Sequence, residues 1–133
     1  MGKKKRVLVV EDESLMGEVL CDLLAETGLA TAGPAVDVDG ALQLLDSATI
    51  DAAMLELRVA GESAFPVAHA LSKRRIPFMF LTAYSRDKVP ADLVDVPLIE
   101  KPFDPHVLRE TLKTLLRSRR PAGRPPRAVS DGR

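Results

Sequence analysis

Five polar residues stand at or just after the ends of short apolar runs, and their types suit the binding of a cation and a phosphoryl group. Three of them are the carboxylates Glu11, Asp12 and Glu56. Carboxylates that are gathered at one place repel one another, and a divalent cation such as Mg²⁺, which prefers oxygen ligands, relieves that repulsion. The other two, Thr82 and Lys101, would supply one directed hydrogen bond and one positive charge to an anion. Together these groups suit the phosphorylation of a carboxylate.

The apolar runs that position these residues are typical of strands buried on both faces of a sheet. Five strands are predicted, at residues 7–10, about 30–35, 52–57, 78–81 and 98–99. Apolar residues at helical spacing separate them, with Gly28 ending the first helix and Asp104-Pro105 beginning the last. This alternation predicts an α/β fold, a doubly wound and mostly parallel sheet with helices on both faces. Because parallel strands end at one edge of the sheet, the five polar residues would converge there.

Two stretches of the chain lack such a pattern. Pro90 and Pro97 interrupt residues 84–97, where we expect one short or mobile helix. From Arg119 on, arginine, proline and glycine dominate the composition. We therefore predict one folded domain at residues 1–118 and a disordered tail at residues 119–133.

Composition and charge narrow the class of protein. A chain of 133 residues with 46% hydrophobic residues suits one domain with a real core. The single cysteine argues against a disulfide framework and favours a cytoplasmic setting, and no apolar run approaches the roughly 20 residues of a membrane span. Residues 7–116 contain nine basic and eighteen acidic residues, a net charge of −9, which argues against nucleic acid as a partner of the body.

Four segments resemble the motifs of response-regulator receiver domains: Val9-Val10-Glu11-Asp12-Glu13, Met54-Leu55-Glu56-Leu57, Phe80-Leu81-Thr82-Ala83-Tyr84 and Lys101-Pro102-Phe103. The third is similar to a group of single-domain receivers known mainly from alphaproteobacteria. The resemblance covers roughly residues 5–118 and implies the flavodoxin-like receiver fold, with five parallel strands in the order 2-1-3-4-5. It further implies that Glu11, Asp12, Glu56 and the backbone carbonyl of Arg58 bind Mg²⁺. Thr82 and Lys101 would hold the phosphoryl group, and the Lys101-Pro102 bond would be cis.

The sequence departs from this family at the phosphate acceptor, which is aspartate in the family and Glu56 here. The extra methylene moves the carboxylate by about 1.5 Å, and a misplacement of about 1 Å can cost about 10²-fold in rate. We therefore expect altered phosphorylation. Two interpretations stay open: Glu56 reaches toward Lys101 and Thr82 and imitates a phosphorylated aspartate, or it leaves an inert pocket.

Two functions fit these observations. The first is a bacterial phosphorelay receiver, a phosphoprotein that meets a histidine kinase or phosphotransfer protein and acts by docking onto a downstream protein. The alternative is a pseudo-receiver, an adaptor protein that works without phosphorylation. An enzyme is not expected, because no glycine-rich loop follows the first strand and no Ser or Cys nucleophile is paired with a His. A membrane partner is not expected either, and a homodimer is left open.

Overall fold

A five-stranded parallel sheet forms the centre of the structure, a computed structural model that describes residues 3–118. Its strands are β1 (Arg6–Val10), β2 (Ala30–Ala35), β3 (Ala52–Leu55), β6 (Phe78–Thr82) and β7 (Leu98–Glu100), whereas β4 (Arg58–Val59) and β5 (Glu62–Ser63) pair separately. They lie in the order β2-β1-β3-β6-β7, and every neighbouring pair is parallel. When only the five strands of this sheet are counted along the chain, the order is 2-1-3-4-5. The predicted doubly wound receiver fold is therefore confirmed.

Helices cover both faces of this sheet. On one face lie α1 (Ser14–Glu26) and α4 (Pro105–Ser118), and on the other α2 (Val38–Ser47) and α3 (Phe65–Lys73). Alternate residues of β1 point to the two layers: Val7 and Val9 pack with α1 and α4, whereas Leu8 and Val10 pack with α2 and α3. A strand that is buried on both sides needs apolar residues at every position, which explains the uninterrupted run of the sequence.

The helix boundaries follow the signals in the sequence. Gly28 has φ +82° directly after the C-cap of α1, a conformation that glycine adopts without a Cβ clash. Asp37 caps α2 by accepting a hydrogen bond from the Gly40 amide at 2.7 Å. Asp104 likewise accepts from the His106 amide at 2.8 Å, and α4 begins at Pro105 as predicted.

The third strand is shorter than predicted. It ends at Leu55 rather than at residue 57, and a small hairpin follows it, formed by β4 (Arg58–Val59) and β5 (Glu62–Ser63). The two residues of its turn, Ala60 and Gly61, have φ values of +52° and +79°. Tight hairpins favour such a pair of positive φ angles, but alanine does not signal one, so the sequence pattern did not reveal the hairpin.

The stretch with two prolines also differs from the prediction. Instead of one helix, residues 84–97 form two short 3₁₀ turns, Arg86–Lys88 and Ala91–Leu93. The guanidinium of Arg86 donates hydrogen bonds to the carbonyl oxygens of Val94 and Val96, at 2.9 and 3.0 Å. The side chain of Arg86 therefore ties the beginning of this segment to its end. The backbone hydrogen bonds of the segment form two separate turns and not one continuous helix.

The predicted tail at residues 119–133 lies outside the described residues, and the domain boundary at residue 118 stays a prediction. Among the helices of residues 3–118, none combines the length and the apolar character that a membrane crossing requires.

Candidate functional site

Glu11 is a buried acid that directly follows β1. Its amide donates to the Ala35 carbonyl oxygen at 2.9 Å, which ties the end of β1 to the end of β2. The residue is only 3% exposed. One carboxylate oxygen, Oε2, accepts a hydrogen bond from the Glu13 amide at 3.2 Å. The other, Oε1, accepts a hydrogen bond from Lys101, so the acid that the sequence places after the first strand lies inside the site.

Glu56 is the second buried acid and directly follows β3. Its amide donates to the Val10 carbonyl oxygen at 3.0 Å, so the ends of β1 and β3 are joined. Its Oε1 accepts a hydrogen bond from Lys101 Nζ at 2.9 Å. Its Oε2 accepts from the Leu57 amide at 2.7 Å and from the hydroxyl of Thr82. Both carboxylate oxygens are therefore engaged within the protein.

Lys101 supplies the positive charge of the site and directly follows β7, the edge strand of the sheet. Its amide donates to the Thr82 carbonyl oxygen at 2.8 Å, and the Lys101-Pro102 bond is cis, as predicted. Its Nζ lies 2.7 Å from Glu11 Oε1 and 2.9 Å from Glu56 Oε1. Burial acts to lower the pKa of Lys101, but the hydrogen bonds and charges of Glu11 and Glu56 outweigh burial and raise that pKa above its usual value. The ammonium thus bridges two carboxylates.

Thr82 connects this charge cluster to the loop that follows β6. Its side chain is fully buried. The hydroxyl donates to Glu56 Oε2 and accepts a hydrogen bond from the Tyr84 amide at 3.1 Å. A threonine hydroxyl can donate one hydrogen bond, and here it donates that bond to Glu56.

Asp12 lies beside the cluster but faces a different partner. It is exposed, and its Oδ2 accepts a hydrogen bond from the Ala60 amide at 2.9 Å, in the turn of the β4–β5 hairpin. Arg58, whose carbonyl was expected to bind Mg²⁺, lies in β4, and its guanidinium donates to the Gly61 carbonyl oxygen at 2.5 Å. Asp12 therefore anchors the hairpin that carries Arg58. This role could not be predicted from the sequence, because no residue pattern indicated the hairpin.

The structure thus brings together four of the predicted residues, Glu11, Glu56, Thr82 and Lys101, in one hydrogen-bonded cluster. Asp12 and Arg58 lie at its margin. In the part of the chain from residue 3 to 118, no three His, Cys, Asp or Glu side chains are arranged so that they could hold a metal ion as they stand. The cation that the two buried carboxylates contact is the ammonium of Lys101.

This fold and these motifs place the chain in the receiver-domain family of response regulators, the signalling domains of two-component systems. No family model matches the sequence. The solution structure of SdrG from Sphingomonas melonis Fr1 is 38% identical, covers 87% of this chain and 99% of its own, and superposes with a TM-score of 0.76. The receiver domain of the PhyR response regulator of Erythrobacter litoralis is 26% identical, with coverages of 95% and 97% and a TM-score of 0.80.

A third solved relative was determined with ligands. The response regulator TrrA of Thermotoga maritima, in complex with Mg²⁺-BeF, is 29% identical, with coverages of 84% and 99% and a TM-score of 0.73. The curated relatives are transcriptional or response regulatory proteins of greater length. The chain spans 40% of the length of the first of them and 52% of another.

Proposed function

We propose that this chain is a receiver that acts in two-component signalling by docking onto another protein, with Glu56 in the role that a phosphorylated aspartate plays elsewhere in the family. One observation carries this proposal. The carboxylate of Glu56 is bonded by Lys101 Nζ at 2.9 Å and by the hydroxyl of Thr82. These are the two groups that the family resemblance assigns to the phosphoryl group, so Glu56 makes the contacts that phosphoryl oxygens would make.

The same contacts disfavour phosphorylation of Glu56 itself. An attacking carboxylate needs an oxygen free to approach the phosphorus atom, and groups free to receive the transferred charge. Here Oε1 is held by an ammonium, and Oε2 by a hydroxyl and an amide. Phosphorylation would have to break these hydrogen bonds first, so we expect it to be slow or absent.

Mg²⁺ is the metal ion that we propose for this site. The donor set has the right chemistry, because carboxylate and carbonyl oxygens are the ligands that Mg²⁺ prefers. Glu11, Asp12 and Glu56 carry three formal negative charges against the single positive charge of Lys101, which leaves charge for a cation to neutralise. We infer that Glu11, Asp12, Glu56 and the Arg58 carbonyl would hold the ion after the acids shift from their present arrangement, in which no three of them within residues 3–118 surround a common point. When bound, it would neutralise these oxygens.

The proposed partners are a histidine kinase or phosphotransfer protein and a downstream protein target, in the cytoplasm. A pseudo-receiver adaptor is the second candidate, and it is favoured by the same engagement of both oxygens of Glu56. The two candidates differ in one respect. In a phosphorylation mimic the contacts of Glu56 set the conformation that the partner recognises, whereas in an adaptor they only fill the pocket.

Phosphate transfer in vitro tests the role of Glu56. The protein and its Glu56→Asp variant are incubated with acetyl phosphate and Mg²⁺, and the intact mass of each is recorded. We expect no adduct on the unaltered chain and one phosphoryl group on Glu56→Asp, whose shorter side chain releases the hydroxyl of Thr82 and leaves Lys101 Nζ bonded to Glu11 alone. Glu56→Gln is the matched negative control. A stoichiometric phosphoryl adduct on Glu56 of the unaltered chain would overturn both candidates and restore ordinary phosphorylation.

A further inference from the structure

A groove of about 290 Å³ lies beside Glu56, between the β4–β5 hairpin and the loop after β6. We call it the loop groove. It is lined by Leu57, Arg58, Ser63, Phe65, Tyr84 and Lys88. Its volume lies just below the usual range of about 300–1,000 Å³ for small-molecule pockets, so it suits one or two side chains of a peptide.

The wall of the loop groove is apolar and firmly supported. Leu57 is buried, and the ring of Phe65 packs edge-to-face against Phe80, with centroids 6.3 Å apart. Tyr84 stands at the opening with 43% of its surface exposed. Exposed aromatic residues over an apolar floor are common at the anchor points of protein interfaces.

The charge of the loop groove is opposite to that of the body around it. Residues 7–116 carry a net charge of −9, yet the lining contains Arg58 and Lys88, both exposed, and within residues 3–118 none of the six lining side chains is acidic. The bond from Arg58 to the Gly61 carbonyl fixes the guanidinium but uses only one of its nitrogens, Nη2. The remaining N–H donors of Arg58 can bind a carboxylate.

The loop groove is also connected to Glu56 through two backbone amides. The Leu57 amide donates to Glu56 Oε2 at 2.7 Å. The Tyr84 amide donates to the hydroxyl of Thr82, which in turn donates to Glu56. A change at Glu56 therefore acts on Leu57 directly and on Tyr84 through the hydroxyl of Thr82.

We propose that the loop groove is the docking surface for the output partner, and that this partner presents an acidic peptide segment with a large aliphatic side chain next to its carboxylates. The aliphatic side chain lies against Leu57 and Phe65, and the carboxylates pair with Arg58 and Lys88. This inference rests on the proposed docking function and names the partner chemistry of the same site.

Two short peptides test this inference on the whole chain. Both are acetylated and amidated hexapeptides, one alternating leucine with aspartate and the other leucine with lysine. In amide proton–nitrogen NMR spectra, the acidic peptide is expected to shift Leu57, Arg58, Ser63 and Tyr84 in a saturable way, and the basic peptide is not. The double variant Arg58→Gln/Lys88→Gln should weaken binding by about fivefold or more, as expected for two partly exposed ion pairs. The control Lys73→Gln/Lys113→Gln, which removes two exposed charges elsewhere, should leave the affinity within about twofold.

Three outcomes would overturn the inference. One is equal binding of both peptides or binding of neither, and another is a set of shifted amides that lies away from the loop groove. The third is a concentration-dependent shift of the groove amides in the protein alone, which would make the surface an interface between two copies. The measurement does not involve phosphate transfer. If any of these outcomes were found together with the expected acetyl phosphate result, the loop groove would not be the docking surface. The proposed role of Glu56 would still stand.

Discussion

Lys101 Nζ lies 2.9 Å from Glu56 Oε1, although 45 positions separate the two residues in the chain. The ion pair joins the end of β7 to the end of β3 across the intervening strand β6. It lies among buried groups, since the side chains of Lys101 and Glu56 are only 14% and 10% exposed. An ion pair in such a place is costly to break from one side, because the remaining charge is left without a partner.

The stability of the domain should therefore depend on the ammonium. Lys101→Met removes the only cation that the structure brings within bonding distance of Glu11 and Glu56 in residues 3–118. We expect the free energy of unfolding in urea to fall by about 3 kcal/mol, the usual cost of leaving a buried charge unpaired. Lys113→Met is the matched control, because Lys113 pairs with Glu110 at 3.4 Å on the exposed surface of α4 and should matter by less than about 0.5 kcal/mol. Similar losses in both variants would contradict the structure.

The same ammonium predicts how stability changes at alkaline pH. Since the pKa of Lys101 is raised in the folded protein, its contribution is fully present below the pKa of an unfolded lysine, about 10.4, and is lost as the pH rises through the higher folded value. The difference in unfolding free energy between the unaltered chain and Lys101→Met should thus be constant from about pH 8 to pH 10. It should narrow above that range. A difference that instead widened as the pH rose toward 10 would show that the folded pKa is lowered.

The hydrogen bond between Thr82 and Glu56 should appear as a pairwise coupling. Thr82→Val keeps the shape of the side chain and removes the hydroxyl. Glu56→Gln removes the negative charge of the carboxylate that accepts the hydrogen bond of this hydroxyl. In a double-mutant cycle of unfolding free energies we expect a coupling of about 1–2 kcal/mol. The cycle of Thr82→Val with Glu11→Gln should give a clearly smaller value, because the hydroxyl donates to Glu56 and not to Glu11. Additive effects of Thr82→Val and Glu56→Gln would mean that this bond contributes nothing.

The turn of the β4–β5 hairpin predicts two substitutions of opposite sign. Ala60 has φ +52°, which an alanine adopts at a cost, so Ala60→Gly should leave stability unchanged or raise it by about 0.5 kcal/mol. Gly61 has φ +79°, and a Cβ at this position would meet no other atom within 4 Å, so Gly61→Ala should lower stability by about 1 kcal/mol through its backbone alone. Thermal unfolding of both variants is the measurement, and a loss in Ala60→Gly equal to that in Gly61→Ala would contradict the described turn.

Much of the sheet and of the site could be predicted from the sequence. The uninterrupted run before Glu11 and the run before Thr82 both became buried strands, because a strand covered on both faces admits only apolar residues. Parallel strands then bring their ends to one edge, which is why Glu11, Glu56, Thr82 and Lys101 meet although they are distant in the chain.

Other features depend on tertiary contacts that leave no pattern. Leu15 and Val19 fit the helical spacing of α1, yet they are 66% and 43% exposed, since spacing shows where a helix lies but not which residues its neighbours cover. The direction of Asp12 was likewise hidden, because it depends on a turn at Ala60 that alanine does not signal. The sequence placed carboxylates and Lys101 in one pocket, but only coordinates could reveal that Lys101 bridges two of them.

Whether Glu56 takes the place of a phosphoryl group can be read from the Tyr84 amide, which donates to Thr82 and so reports on what Thr82 bonds. Amide NMR spectra are recorded for the unaltered chain, for Glu56→Asp, and for Glu56→Asp with beryllium fluoride and Mg²⁺. We expect Glu56→Asp to shift the Tyr84 resonance, because the shorter carboxylate releases Thr82, and the phosphoryl analogue to return that resonance toward its original position. If Glu56→Asp instead matched the unaltered chain and the analogue moved the resonance away, Glu56 would not stand in for a phosphoryl group.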